Sequence, residues 1–225
     1  MITEKIAYLI KECDIAANHI TAVTFTNKAA REMKERVSKQ LDKKARRGLA
    51  ISTFHTLGLK IIRSEQPMLG LSDGFSIFDS HDSGQLIREL MLASVEEAED
   101  ATDRVKFHIS NWKNNLVSCD HALSHAADKE EQLSARVYVE YERSLRAYNA
   151  VDFDDLIMLP ARLFATEPAV LAKWQSRIRY LLVDEYQDTN QSQYQMVKYL
   201  VGQRAVFTVV GDDDQSIYSW RGAQP

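Results

Sequence analysis

The order of the short apolar runs is what most constrains this chain. HITAVTF (residues 19–25) and GLAIS (48–52) flank a stretch of helical period, and RIRYLLVD (177–184) and RAVFTVV (204–210) flank another. Short β-branched runs without polar alternation are strands buried on both faces. A strand, a helix and a second strand in that order can share one sheet only as parallel neighbours with a right-handed crossover. Both ends of the chain therefore predict α/β layers around a parallel sheet. Residues 2–12 predict an amphipathic helix, with Ile2, Ile6, Leu9 and Ile10 on one stripe. Further helices are expected over 54–65 and 192–201, with Asn27 capping the helix after the first strand and Thr189 or Asn190 capping the last.

The middle differs. From about residue 80 to 170 the period is almost all helical, with Leu133, Val137, Tyr141 and Leu145 on one stripe and Leu156, Leu159 and Leu163 on another. Pro160 is expected to kink or end its helix, and the acidic SVEEAEDATD (94–103) to form a loop. A helical domain inserted between two parts of one sheet is the simplest organisation.

Of the 225 residues, 45% are hydrophobic and 27% charged, which suits a globular chain and excludes a disordered one. No apolar run approaches membrane-spanning length, so no membrane partner is expected. Cys13 and Cys119 form no CxxC pair, which makes a reducing cytoplasm the default location. A net charge of −4 excludes a general polycation, but Lys28 to Arg47 holds nine basic and three acidic residues. That stretch reads as the solvated face of a helix whose Ala30, Met33, Val37 and Leu41 face a core, or as a face that follows a phosphate backbone.

Two acidic strand ends carry the chemistry. YLLVDEYQD ends an apolar run in Asp184 and Glu185, with Asp188 close behind. Carboxylates at the carboxyl end of a buried strand lie where open α/β sheets bind ligands. One can hold hydrated Mg²⁺ and its neighbour can activate a water for attack on a phosphoryl group, though an acidic turn alone would look the same. The second strand end, VVGDDDQSIYSWRGA (209–223), adds three aspartates and Gln215, then Tyr218, Trp220 and Arg221. Two aromatic faces and a guanidinium within four positions suit stacking on unpaired bases.

Together these residues resemble the superfamily 1A DNA helicases of the Rep, UvrD and PcrA group. LLVDEYQDTN and VVGDDDQSIYSWRGA resemble that family's motifs II and III, AVTFTNKAAREMKERV (22–37) its motif Ia, and ISTFHTLGL (51–59) its motif Ib. DFDDLI (152–157) is similar to its short DNA-side motif. The resemblance implies a RecA-like P-loop NTPase sheet, divided into a partial domain 1A (1–75 and 171–225) and an inserted all-helical domain 1B (76–170). It implies ATP and Mg²⁺ as cofactors, Asp184 as the Mg²⁺ residue, Glu185 as general base and Gln215 as γ-phosphate sensor. Phe25, Thr26, Asn27, Lys28, Thr53, Phe54, His55, Tyr218, Trp220 and Arg221 become DNA-binding residues. Gln187 and Asp188 become a network joining the ATP side to motif III. The implied partners are single-stranded DNA, duplex junctions, and replication or repair proteins.

No stretch fits the phosphate-cradling G-x-x-x-x-G-K-[ST] loop, and the family's adenine-binding glutamine and arginine-finger domain are absent too. The expectation is a piece of an ATP-driven 3′→5′ helicase, lacking the Walker A strand and loop and not itself able to unwind DNA. Two other readings stay open. One is an ATP-independent module that holds single-stranded DNA or a partner protein. The other is a metal nuclease, which requires the acids of DFDDL, VDE and GDDD to converge. Cys119, His121 and His125 have a zinc-like spacing without a fourth ligand, and read as a solvated helix.

Overall fold

The computed structural model describes residues 1–92, 98–202 and 205–211, and for 98–100 the backbone only. In chain order the first elements are α1 (Ile2–Lys11), β1 (Ile20–Thr24), α2 (Asn27–Gln40), β2 (Ala50–Thr53) and α3 (Phe54–Ser64). The middle holds β3 (Ser76–Phe78), α4 (Ser80–Leu92), α5 (Ala98–Asn114), α6 (Cys119–His125), α7 (Lys129–Ala147) and β4 (Ala150–Asp152). The chain continues with α8 (Asp155–Thr166), α9 (Pro168–Arg177), β5 (Tyr180–Val183), α10 (Gln191–Val201) and β6 (Val206–Val209).

The principal sheet has the order β2-β1-β5-β6, and every pair is parallel. From β1 the chain crosses through α2 to one side, and from β5 through α10 to the other. Right-handed crossovers in opposite directions must run over opposite faces. The cores agree: α2 packs with α1, Ile20, Ala22 and Leu182, whereas α10 packs with α3, α8, α9, Val23, Leu181 and Val183. The strand order therefore reverses between β1 and β5, which makes a crevice at their carboxyl ends. Because Thr24 pairs with Thr53, and Val23 and Val209 both pair with Val183, all four strands end level.

Helices α4 to α7 enclose a separate core that includes Leu86, Met91, Val105, Ile109, Ala135, Tyr138 and Leu145. Two expectations change here. Residues 98–103, expected as loop, begin α5, and residues 93–97 lie outside the described ones. The helical period over the middle also passed over a small parallel sheet, in which Ser76–Phe78 of β3 pair with Ala150–Asp152 of β4. Three-residue strands are too short to carry a period. Helices α8 and α9 pack in the sheet's core, and α8 also meets α5.

Caps and breaks also differ in detail. Thr26, not Asn27, caps α2, its Oγ1 accepting the Ala29 N–H at 3.1 Å. Asn190 caps α10 in a full capping box with Gln193. Pro160 neither ends nor breaks α8, which runs on to Thr166. Proline offers no N–H to the carbonyl four residues back, that of Leu156. Gly58 of α3 packs against this carbonyl so closely that a Cβ would stand 1.7 Å from its oxygen. Gly58→Ala should therefore force α3 from α8 and destabilise the fold by about 3 kcal/mol in urea denaturation.

Candidate nucleotide and nucleic-acid sites

The level strand ends bring the acidic turn beside the first crevice. Asp184 follows β5 directly, its N–H donating to the Val23 carbonyl of β1 at 3.0 Å. Glu185 is exposed and held in the left-handed region at φ 54°, so the chain turns sharply there. Gln187 is buried, and its Nε2 donates to Glu185 Oε2 at 2.7 Å. The turn is also tied to the strand end of β6: Tyr186 N–H donates to Val210 O at 3.0 Å, and Val210 N–H to Val183 O at 2.9 Å. A Cβ at Gly211 would lie 2.6 Å from Gln187 Oε1, so any larger residue there would have to displace that amide. Partial burial, and then the Glu185 charge, push the Asp184 carboxyl above its usual range. The chain's amino terminus, at the head of α1, and Arg36 are near enough to pull the other way. Adjacent carboxylates that offer only oxygen donors fit a hard cation such as Mg²⁺.

A groove of about 840 Å³ opens from the same edge toward the helical layer. On the sheet side it is lined by Phe25, Thr26, Phe54 and His55, and on the other by residues of α4, α5 and the β4–α8 turn. The DNA-side residues expected from the sequence divide here. Asn27 and Lys28 are exposed at the start of α2. Phe25 meets the edge of Phe54, ring centres 5.5 Å apart, but Phe54 itself is only 1% exposed and serves as floor. Thr53 is buried and caps α3, accepting the Thr56 N–H at 3.2 Å. His55 lies 5.7 Å from the ring of Phe153, which is 51% exposed. Gln215, Tyr218, Trp220 and Arg221 lie outside the described residues.

The DFDDLI segment alternates between two tasks. Phe153 and Asp154 face the groove, while Asp152 and Asp155 turn inward to Lys113 of α5. The Lys113 ammonium is fully buried, with Glu142 at 2.7 Å, Asp152 at 2.8 Å and Asp155 at 2.9 Å. Tyr141 Oη also donates to Asp152 at 2.9 Å. Burial opposes the ammonium charge, but the three carboxylates outweigh it and hold Lys113 protonated. Next to it, Asn114 Oδ1 accepts from Asn190 Nδ2 at 2.7 Å, and Asn114 Nδ2 donates to Asp154 Oδ1 at 3.1 Å. Burial, and then Asp152, raise the Asp154 carboxyl to about 6. Sequence reasoning missed Lys113 and Asn114. A signal for Lys113 existed: it follows Val105 and Ile109 at i+4 spacing, on the buried stripe of α5.

The nuclease reading needs three acidic segments to converge, and the aspartates of GDDD lie outside the described residues. Asp152 and Asp155 are engaged with Lys113, and among the described residues the one group with metal-ligand spacing is Asp79, His81 and Asp82. Those three are exposed, and Asp79 accepts the N–H groups of His81 and Asp82 at the start of α4. Cys119, His121 and His125 form no ligand set; the two imidazoles stack 4.0 Å apart. Among the described residues no helix is long and apolar enough to cross a membrane.

Comparison with known proteins adds the family. The pattern described as the UvrD/REP helicase N-terminal domain matches residues 1–225. The chain is 55% identical to the ATP-dependent DNA helicase Rep of Salmonella typhimurium and to that of Escherichia coli, over 100% of this chain and 33% of each relative. It is 42% identical to the ATP-dependent DNA helicase PcrA of Staphylococcus aureus, over 99% of this chain and 30% of the relative. The chain thus spans about a third of the length of the curated relatives it matches.

Two outcomes follow from the joint between the layers. Lys113→Met leaves the buried Asp152 and Asp155 and the half-buried Glu142 without their cation and should destabilise the protein by about 3–5 kcal/mol in urea denaturation. Asp154 titrates near 4 when unfolded and near 6 when folded, so folding takes up a proton between those values. Its ionised form therefore costs stability above pH 6 that is absent below pH 4. Asp154→Asn should raise stability at pH 8 by about 2 kcal/mol and leave it unchanged near pH 4, read from denaturation midpoints at both pH values.

Proposed function

The chain belongs to the UvrD/REP helicase family, matching its N-terminal domain, and from that premise we propose that it is the part of an ATP-dependent DNA helicase that joins the ATP site to the single-stranded DNA groove. The observation that carries this reading is the shared sheet edge. The acidic turn at the end of β5 and the aromatic groove at the ends of β1 and β2 lie side by side at the point where the strand order reverses.

On the nucleotide side, Asp184 would hold Mg²⁺ on the ATP phosphates. Bound there, the ion supplies positive charge to phosphate oxygens. Glu185, exposed and steadied by Gln187, would orient and deprotonate the attacking water. Gln215 would sense the γ-phosphate, a few positions along the chain from Gly211, which rests against Gln187. On the DNA side, Phe25, His55 and Phe153 offer ring faces in a groove whose polar lining holds amides, Lys106 and four aspartates, so that it favours bases over phosphates. That surface suits bases, with Asn27 and Lys28 at its rim for the backbone. Tyr218, Trp220 and Arg221 would continue it, and movement would run 3′→5′.

The outer edge of β6 fits a part of something larger. Val206, Phe207 and Val209 are 53%, 49% and 38% exposed, and among the described residues β6 pairs only with β5. An open apolar edge is a template for a further strand. A phosphate cradle and an adenine site supplied from outside these 225 residues would complete the nucleotide site. The alternative, a module that holds single-stranded DNA without ATP, draws on the lack of a G-x-x-x-x-G-K-[ST] loop within them.

Nucleotide turnover and binding of a labelled oligothymidylate, measured on the protein that carries this chain in full, separate the readings. Glu185→Gln should lower ATP turnover at least about 100-fold while DNA binding persists. Phe153→Ala should weaken single-strand binding about tenfold. DNA binding without any ATP turnover would favour the module, and binding that ignores the loss of both Phe153 and His55 would refute the groove assignment.

A further inference from the structure

We propose that Asn114 is a positioning residue: its amide bridges Asn190, behind the acidic turn, to Asp154, beside the groove, and carries the state of one site to the other. The proposal rests on the helicase reading above. It goes beyond the motifs, because Asn114 belongs to none of them and lies on the last turn of α5, in the helical layer.

The path is continuous. From Glu185 the chain closes a tight turn, with Asp188 N–H donating to Glu185 O at 3.0 Å and Thr189 Oγ1 to Tyr186 O at 2.8 Å. Asn190 comes next, and its side chain is fully used. Its Oδ1 accepts from Gln193 N–H and Ser192 Oγ, both at 2.9 Å, and its Nδ2 reaches Asn114 Oδ1 at 2.7 Å. Asn114 Nδ2 then donates to Asp154 Oδ1 at 3.1 Å and to the Ser110 carbonyl at 2.8 Å. Asp154 adjoins Phe153, the exposed ring that meets His55. A displacement of the acidic turn must therefore either move Asn114 or break the 2.7 Å bond.

Asn114 is also firmly held, as a relay requires. Its neighbour Lys113 is locked among Glu142, Asp152 and Asp155, so the end of α5 keeps its place against both loops. A bridge of this kind, a partly buried amide with both ends engaged, transmits a shift because neither partner can turn to water without leaving the other unpaired.

The test uses the protein that carries this chain in full, and reads the ratio of ATP turnover with saturating oligothymidylate to turnover without it. Asn114→Ala should lower that ratio about tenfold. Because Asn114 and Asn190 also line the groove, every variant is assayed with oligothymidylate at saturation, so that a change in its affinity does not enter the ratio. Asn190→Ser keeps a capping hydroxyl on α10 but cannot reach Asn114, so it should lower the ratio equally, and the double substitution should be no worse than either alone. A ratio within twofold of the unsubstituted protein, effects that multiply, or a ratio that falls only in step with melting temperature would overturn the proposal. Should Asn114→Ala fail to fold, Asn190→Ser alone decides on the same ratio. An unsubstituted protein whose turnover ignores DNA would overturn the helicase reading and the relay with it, whereas stimulation that survives the substitutions overturns only the relay.

Discussion

The arrangement of this molecule depends on one buried charge. Lys113 reaches from α5 into a pocket made by Glu142 of α7 and by Asp152 and Asp155 around the start of α8, and it is closed off from solvent. Such an ammonium adds little net stability, because the desolvation of the buried charges offsets much of their attraction. What it adds is registration. Any slip of the helical layer against the sheet would strand a carboxylate or the ammonium without a partner, so a single alignment is favoured. An apolar contact would tolerate sliding by a fraction of a turn.

That alignment defines the groove. With α5 fixed at its last turn, the aromatic residues after β1 and β2 face the β4–α8 turn across a gap of stable width. The paired fates of the DFDDLI residues follow: alternate acids anchor the segment, which leaves Phe153 and Asp154 presented outward. Anchoring and presentation come from one short stretch, because a tight turn into a helix sends successive side chains in different directions. On the opposite side of the crevice the acidic turn is stiffened by backbone bonds to Val23 and Val210 and by the buried Gln187 amide. Two loops with different chemistry are thus carried on one rigid edge.

Much of the fold was legible in the sequence, because the parallel strands are buried on both faces and leave unbroken apolar runs. What was not legible has identifiable causes. The strands β3 and β4 have three residues each, below the length at which any period registers. Thr26 and Asn27 are both good caps, and only the backbone conformation at Thr26 decides between them. Pro160 reads as a kink or an end to its helix, and nothing adjacent to it reveals that α8 runs on to Thr166 with Gly58 of α3 against the Leu156 carbonyl. In the site, Thr53 and Phe54 read as surface contacts from their motif, yet burial gives them capping and packing tasks.

Taken alone, the sequence determined the element order, the parallel sheet, the acidic turn after the β5 strand and the motif set that marks the family, since each is written in residues adjacent in the chain. The tertiary structure alone decided which residues from separate segments meet. The Lys113 cluster joins three stretches, and the Asn190, Asn114 and Asp154 bridge adds a fourth, at separations of 76 and 40 residues. Local propensity and periodicity act over a few positions, whereas a hydrogen bond or an ion pair between distant segments exists only once packing has fixed their distance.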